Sequence, residues 1–161
     1  MLDQEKKDFI KSLIPKAILK AVTDEAENAI THHQMGKNTI SIYKFPFYVG
    51  REMRANIVNG HLQIMERRMK AHHSHHNDLY LKDMGDLLQI SRKHFAIKST
   101  NGEYILQDLG SACGMMVGDV HIGGMDKGGS FIIKDGDIIG IGKETTPYFF
   151  KFIVLDGNLE L

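Results

Sequence analysis

From Asp78 to Leu155 the chain is interrupted every few residues by glycine, asparagine or aspartate, and between the interruptions it is rich in β-branched and aromatic residues. Phe95-Ala96-Ile97 leads to Asn101-Gly102, Tyr104-Ile105-Leu106 to Gly110 and Gly114, and Met116-Val117 to Gly118-Asp119. Val120-His121-Ile122 precedes Gly123-Gly124 and Gly128-Gly129, Phe131-Ile132-Ile133 precedes Asp135-Gly136-Asp137, and Ile138 to Gly142 is followed by Tyr148 to Leu155. Glycine, asparagine and aspartate favour the tight turns that reverse a chain between strands. So many short strands joined in this way predict an all-β protein, an antiparallel sandwich or barrel.

The same character begins earlier, at Thr39, where Ile40, Ile42 and Phe45-Pro46-Phe47-Tyr48-Val49 read as strand up to Gly50-Arg51. Residues 52–76 interrupt it and read as an inserted loop, with a short helical pattern at Leu62, Met65 and Met69 before a histidine run. Ahead of Thr39, residues 2–33 read as helix. Phe9, Ile10, Leu13, Ile14, Ala17, Ile18, Ala21 and Val22 recur in pairs every three or four positions, and lysines fill the rest. Pro15 either kinks this helix or starts a second one. The domain organisation expected is a helical extension over 1–36 and one β-domain over 39–155 that carries the insertion. The apolar stripe of the extension is expected to pack on that domain, with self-association or partner binding as its other use.

Charge narrows the function. The 20 basic and 20 acidic residues cancel, which argues against a surface that tracks nucleic acid or anionic membrane. The distribution is uneven: residues 51–98 hold nine bases and five acids, and residues 101–161 hold four bases and nine acids. Cys113 is the only cysteine, so no intrachain disulfide can form and a reducing compartment, the cytoplasm, is expected. No apolar run reaches membrane-spanning length.

Within the basic segment, Ser91-Arg92-Lys93-His94 places a hydroxyl, a guanidinium and an imidazole where the strand at Phe95 begins. The order Gly50-Arg51, Asn77-Asp78-Leu79-Tyr80-Leu81, Ser91-Arg92-Lys93-His94, Asn101-Gly102, Asp108-Leu109-Gly110-Ser111 and Asp135-Gly136-Asp137-Ile138-Ile139-Gly140-Ile141-Gly142 resembles the forkhead-associated (FHA) domain. The resemblance covers about residues 39–155. It implies an antiparallel β-sandwich of about eleven strands whose loops at one end bind phosphothreonine peptides, without catalysis and without a cofactor. A phosphothreonine carries nearly two negative charges and three strong acceptor oxygens, so it calls for a planar donor fork, a small hydroxyl and backbone amides. By resemblance Arg51 and Ser91 contact the phosphate, Arg92 contacts phosphate or peptide, and Ala112 and Cys113 lie along the peptide. Gly50, His94 and Gly114 support these loops.

One position departs from the family. Before the second glycine of Gly110-Ser111-Ala112-Cys113-Gly114 the family usually has an asparagine whose amide holds the bound peptide's main chain. A thiol is a weak donor and a weak acceptor, and the exchange is expected to cost about 0.5 to 1.5 kcal/mol, roughly two- to tenfold in affinity. Cys113 reads as a small apolar substitute; a nucleophile or a redox sensor are the other readings. His72, His73, His75 and His76 have metal-ligand spacing if a helix continues through them, yet no cysteine or carboxylate completes a set, and a solvated loop tip is the expectation. The function expected is therefore a non-catalytic signalling module, of a bacterial kinase-linked pathway, that binds a phosphothreonine-containing protein or peptide. The alternative is a structural adaptor with a weakened pocket, its partners held by the N-terminal helix and the inserted loop.

Overall fold

The computed structural model describes residues 3–30, 38–53, 55–64 and 76–155. Two sheets face each other. The strands of the first are β1 (Ala17–Ala21), β2 (Thr39–Ile42), β9 (Met115–Val117), β10 (Val120–Ile122), β12 (Ile138–Ile141) and β13 (Phe149–Val154), in the order β10-β9-β12-β13-β1-β2. Those of the second are β3 (Phe47–Arg51), β6 (Leu79–Leu81), β7 (Phe95–Thr100), β8 (Glu103–Asp108) and β11 (Gly129–Ile133), in the order β11-β8-β7-β3-β6. Among the described residues eleven strands thus make up the sandwich, in line with the about eleven that the family resemblance implies. Their inward residues form one core, in which Leu19, Ile42, Leu79, Leu81, Phe95, Ile97, Leu106, Phe150 and Phe152 are fully buried. Each such side chain contributes about 1.5 to 3 kcal/mol of hydrophobic stabilisation.

The expected helix over residues 2–33 is corrected by the structure. Among the described residues of that span only Gln4–Ser12 (α1) and Asp24–Ala29 (α2) are helical, and between them Ala17–Ala21 form β1, hydrogen-bonded on one side to β13 and on the other to β2. Of the residues that suggested a helical stripe, Ala17 and Ala21 also suit a period of two and point into the core with Leu19, while Ile18 is half-buried and Lys20 faces water. Pairing decides the matter, because β1 has partners on both edges and buries three side chains. The first sheet therefore includes residues 17–21, ahead of residue 39.

The insertion differs as well. Residues 61–64 are strand β5 (His61–Ile64), not helix, and they pair with β4 (Ala55–Val58). Val58 faces His61 across a two-residue turn in which Asn59 and Gly60 have φ of 52° and 79°. An Asn-Gly pair suits that turn and makes the hairpin local. His72, His73 and His75 lie outside the described residues, and His76 is exposed. β6 then runs parallel to β3, against an otherwise antiparallel arrangement, because residues 52–78 provide the long crossover that a parallel pair requires.

Candidate functional site

The loops β6–β7, β8–β9 and β12–β13 come together at one end of the sandwich, and buried polar groups set their shapes. β3 brings Gly50 and Arg51 to that end. The Arg51 amide donates to the Ser91 carbonyl at 2.9 Å, and its Nε donates to the Ile90 carbonyl at 2.8 Å, which aims a largely buried guanidinium along the β6–β7 loop. Gly50 allows a very close approach: a Cβ there would lie 2.0 Å from the Arg92 carbonyl oxygen and 2.4 Å from Asn77 Nδ2. Asn77 Nδ2 donates to that same carbonyl at 2.7 Å, so Gly50 and Asn77 together fix the peptide plane between Arg92 and Lys93.

Asp83 shapes the approach to Ser91. One of its carboxylate oxygens accepts from the amides of Gln89 and Ile90 at 2.7 and 3.0 Å, and the other from the Gly85 amide and the Tyr148 hydroxyl at 3.1 and 2.7 Å. Burial, followed by the hydrogen bond and the negative charge of Asp83, pushes the Tyr148 hydroxyl up to about 12, so it remains a donor at any physiological pH. Gln89 in turn accepts from the Lys143 amide at 2.9 Å, which ties the β12–β13 loop to the β6–β7 loop.

His94 joins the β6–β7 and β8–β9 loops. Its ring is fully buried, Nδ1 accepts from the Ser91 amide at 2.9 Å, and Nε2 lies 2.7 Å from the Gly114 carbonyl. An acceptor at Nδ1 and a carbonyl at Nε2 require the neutral tautomer with its proton on Nε2. Burial, the largest influence, lowers its pKa, only partly opposed by the Gly114 carbonyl and by Asp108 and Asp83. Asp108 does for the β8–β9 loop what Asp83 does for its neighbour. Its carboxylate accepts from the amides of Gly110 and Ser111, both at 2.9 Å, and from the Ser111 hydroxyl, whose oxygen accepts from the Gly114 amide at 2.8 Å.

The result is a direct link across the site: the Ala112 amide donates to Ser91 Oγ at 3.0 Å. A hydroxyl that accepts in this way retains its proton for donation elsewhere. Arg51, Ser91, Arg92 and Ala112 are thus neighbours, although they are up to 61 residues apart in sequence. Cys113 is half-buried and its thiol lies 3.5 Å from the Leu88 carbonyl, a weak contact back into the protein. Its carbonyl accepts from His121 Nε2 at 3.1 Å. A cavity of about 630 Å³ opens beside it, lined by Ala112, Cys113, His121, Lys127 and Lys143 among others; Arg51 and Ser91 are not among its walls. Asn77 and Asp108 open two of the motifs that carry the family resemblance, but the sequence assigns them no supporting role, and Asp83 stands outside those motifs, although the Asp-x-Gly spacing of Asp83-Met84-Gly85 and Asp108-Leu109-Gly110 is a turn signal.

Comparison with known proteins adds an independent line. A family model described as FHA domain matches residues 47–142. An FHA domain-containing protein of Arabidopsis thaliana is 35% identical over 80 residues, half of this chain, and the match spans 19% of that relative's own length. The solved FHA domain of an Arabidopsis thaliana hypothetical protein superposes with a TM-score of 0.53 at 23% identity, covering 92% of this chain and 93% of that one. The FHA domain of the CT664 protein of Chlamydia trachomatis gives 0.52 at 17% identity over 87% and 98%. EmbR of Mycobacterium tuberculosis, solved in complex with a low affinity phosphopeptide, gives 0.51 at 18% identity over 99% of this chain and 34% of that one.

Proposed function

Since the chain belongs to the FHA domain family, we propose that it is a phosphopeptide-binding module whose ligand is a phosphothreonine on a protein partner. The observation that carries this reading is the junction of Arg51, Ser91 and Ala112, in which three segments distant in sequence are drawn together by one backbone–backbone and two side chain–backbone hydrogen bonds. A phosphate dianion set there takes charge-assisted hydrogen bonds from the Arg51 guanidinium and one from the Ser91 hydroxyl, with Arg92 supporting. His94, Gly50 and Gly114 hold the loops and need not touch the ligand. Recognition involves no chemical step, so the module reports phosphorylation by binding.

Cys113 stands where the family's peptide-holding amide is expected. Its thiol contacts the Leu88 carbonyl and supplies no comparable donor to a peptide. Affinity is therefore expected to be roughly two- to tenfold weaker than with an asparagine at this position.

Calorimetric titration with a phosphothreonine peptide and its unphosphorylated counterpart tests the reading. Only the phosphorylated form is expected to bind, and Arg51→Ala and Ser91→Ala each to remove the difference. A phosphoserine version should be weaker, since a methyl group in a fitted pocket is worth about 1 to 3 kcal/mol. Equal binding of the two peptide forms would overturn the proposal.

A further inference from the structure

The cavity of about 630 Å³ begins at Ala112, whose amide holds Ser91 Oγ, and at Cys113 beside it. Much of its wall offers a ligand no strong side-chain hydrogen bond. Ala112, Gly123, Gly124 and Met125 have none to give, and the Cys113 thiol, weak in any case, contacts the Leu88 carbonyl. Lys127, Lys143, Glu144 and Thr145 reach the rim, but their side chains are exposed and have no hydrogen-bond partner among the described residues. Using them would mean ordering them, at a cost in rotamer entropy.

His121, in the middle of β10, is different. Its Nε2 donates to the Cys113 carbonyl at 3.1 Å, so the ring is tethered to the same loop that reaches Ser91. Two glycines make room for it: a Cβ at Gly114 would lie 2.8 Å from His121 Cε1, and one at Gly124 3.3 Å. A carbonyl at Nε2 requires the proton there, which leaves Nδ1 of the neutral ring as an acceptor. Nδ1 has no partner among the described residues, and the exposed ring lines the cavity.

We propose that His121 is a peptide-binding residue of this site, its Nδ1 accepting a hydrogen bond from a main-chain N–H of the bound segment. Given a phosphothreonine ligand, on which this inference rests, a peptide running from Arg51 and Ser91 towards the cavity in extended form advances about 3.3 Å per residue. Its main chain then passes the ring within a few residues of the phosphate. The N–H groups of an extended segment lose water there, and a tethered acceptor meets one of them at little ordering cost. The bond is indifferent to the side chain at that peptide position, except that proline, which has no N–H, is rejected. It is separate from any bond that an amide at position 113 would make, because His121 comes from another strand.

Calorimetric titration at pH 8 tests this with a phosphothreonine peptide and a set of analogues in which each backbone N–H in turn is replaced by an ester oxygen. In the wild type, one ester near the phosphothreonine should weaken binding about two- to tenfold, as the loss of one neutral hydrogen bond does. In His121→Ala the same ester should cost nothing. That variant should itself lose the same factor on the all-amide peptide, with an unchanged unfolding transition because the ring is exposed. His121→Gln, which can still donate to the Cys113 carbonyl but lacks Nδ1, should bind as weakly as His121→Ala. Wild-type affinity in His121→Gln would leave the ring a positioning role only and overturn the inference. A wild type indifferent to every ester, or ester losses identical in His121→Ala, would overturn it while leaving the phosphothreonine reading intact. Equal binding of the phosphorylated and unphosphorylated all-amide peptides would overturn both.

Discussion

Replacing Gly50 by alanine adds one methyl group where the protein has no room for it. The new Cβ would lie 2.0 Å from the Arg92 carbonyl oxygen, and contacts below 3.0 Å essentially do not occur, so the Arg92 peptide must retreat by about 1 Å. The obstacle is backbone and cannot rotate away. Asn77 Nδ2 is displaced with it, because a Cβ would lie 2.4 Å from that atom. The bonds at risk are Asn77 to the Arg92 carbonyl, the Arg51 amide to the Ser91 carbonyl, and the Ala112 amide to Ser91 Oγ. Overpacking of this kind costs about 1 to 3 kcal/mol, which for a chain of this size is roughly a 2 to 12 °C fall in Tm. Binding should suffer more. Losing one charge-assisted hydrogen bond to the phosphate is worth about 1.5 to 3 kcal/mol, roughly a ten- to hundredfold loss of affinity. Fluorescence anisotropy with a labelled phosphothreonine peptide, read beside thermal unfolding, measures both. A variant that binds within twofold of wild type at unchanged Tm would refute the reasoning, because the Arg92 carbonyl could then move without disturbing the phosphate donors.

Three further outcomes follow from other contacts. His94 is held neutral, with its pKa lowered by burial from the ordinary 6.5; the unfolded chain therefore binds the extra proton first, and the stability this residue contributes, complete above about pH 6.5, is lost as pH falls through 6.5 towards the lower folded value. Denaturant unfolding from pH 8 to 5 should show that decline, and His94→Gln, less stable at neutral pH, should flatten it. Leu19→Ala should destabilise the whole domain by about 2 to 5 kcal/mol, since it empties a buried position of a central strand; urea denaturation showing less than about 0.5 kcal/mol would place residues 17–21 outside the core. Cys113→Asn should strengthen phosphopeptide binding by roughly two- to tenfold in the same titration, and no gain would mean that the amide is not what this position lacks.

The sequence is easiest to read where structure is local. Asn101-Gly102 joins Thr100 to Glu103 in the β7–β8 hairpin with φ of 52° and 79°, as an Asn-Gly turn between two β-rich runs should. The same dipeptide at Asn59-Gly60 is just as clear a signal, but Leu62, Met65 and Met69 sit at a spacing that also suits a helix. At Ala17–Ala21 the two periods cannot be told apart by composition at all, because Ala17 and Ala21 are four apart and also an even number apart.

Gly50-Arg51 and Ser91-Arg92-Lys93-His94 are recognisable because backbone close approach, donor geometry and a bridging imidazole demand those residue types. Of the groups that hold them, Asn77 and Asp108 stand in recognisable motifs without a legible role, and Asp83 looks in the sequence like an ordinary polar loop residue. Their role exists only once the chain has folded, when their partners arrive from other strands.

Taken alone, then, the sequence determines the class of fold, the turns and the residues proposed as phosphate donors, since each of these is written in a few adjacent residues. Tertiary structure decides that residues 17–21 are strand, that β6 enters parallel to β3, and that Ser91 Oγ meets the Ala112 amide. Those outcomes depend on which partner satisfies a backbone or buries a side chain, and the partner lies as far as 137 residues away, as Val154 does from Ala17. Short-range chemistry selects the pieces, and the requirement that buried polar groups find partners assembles them.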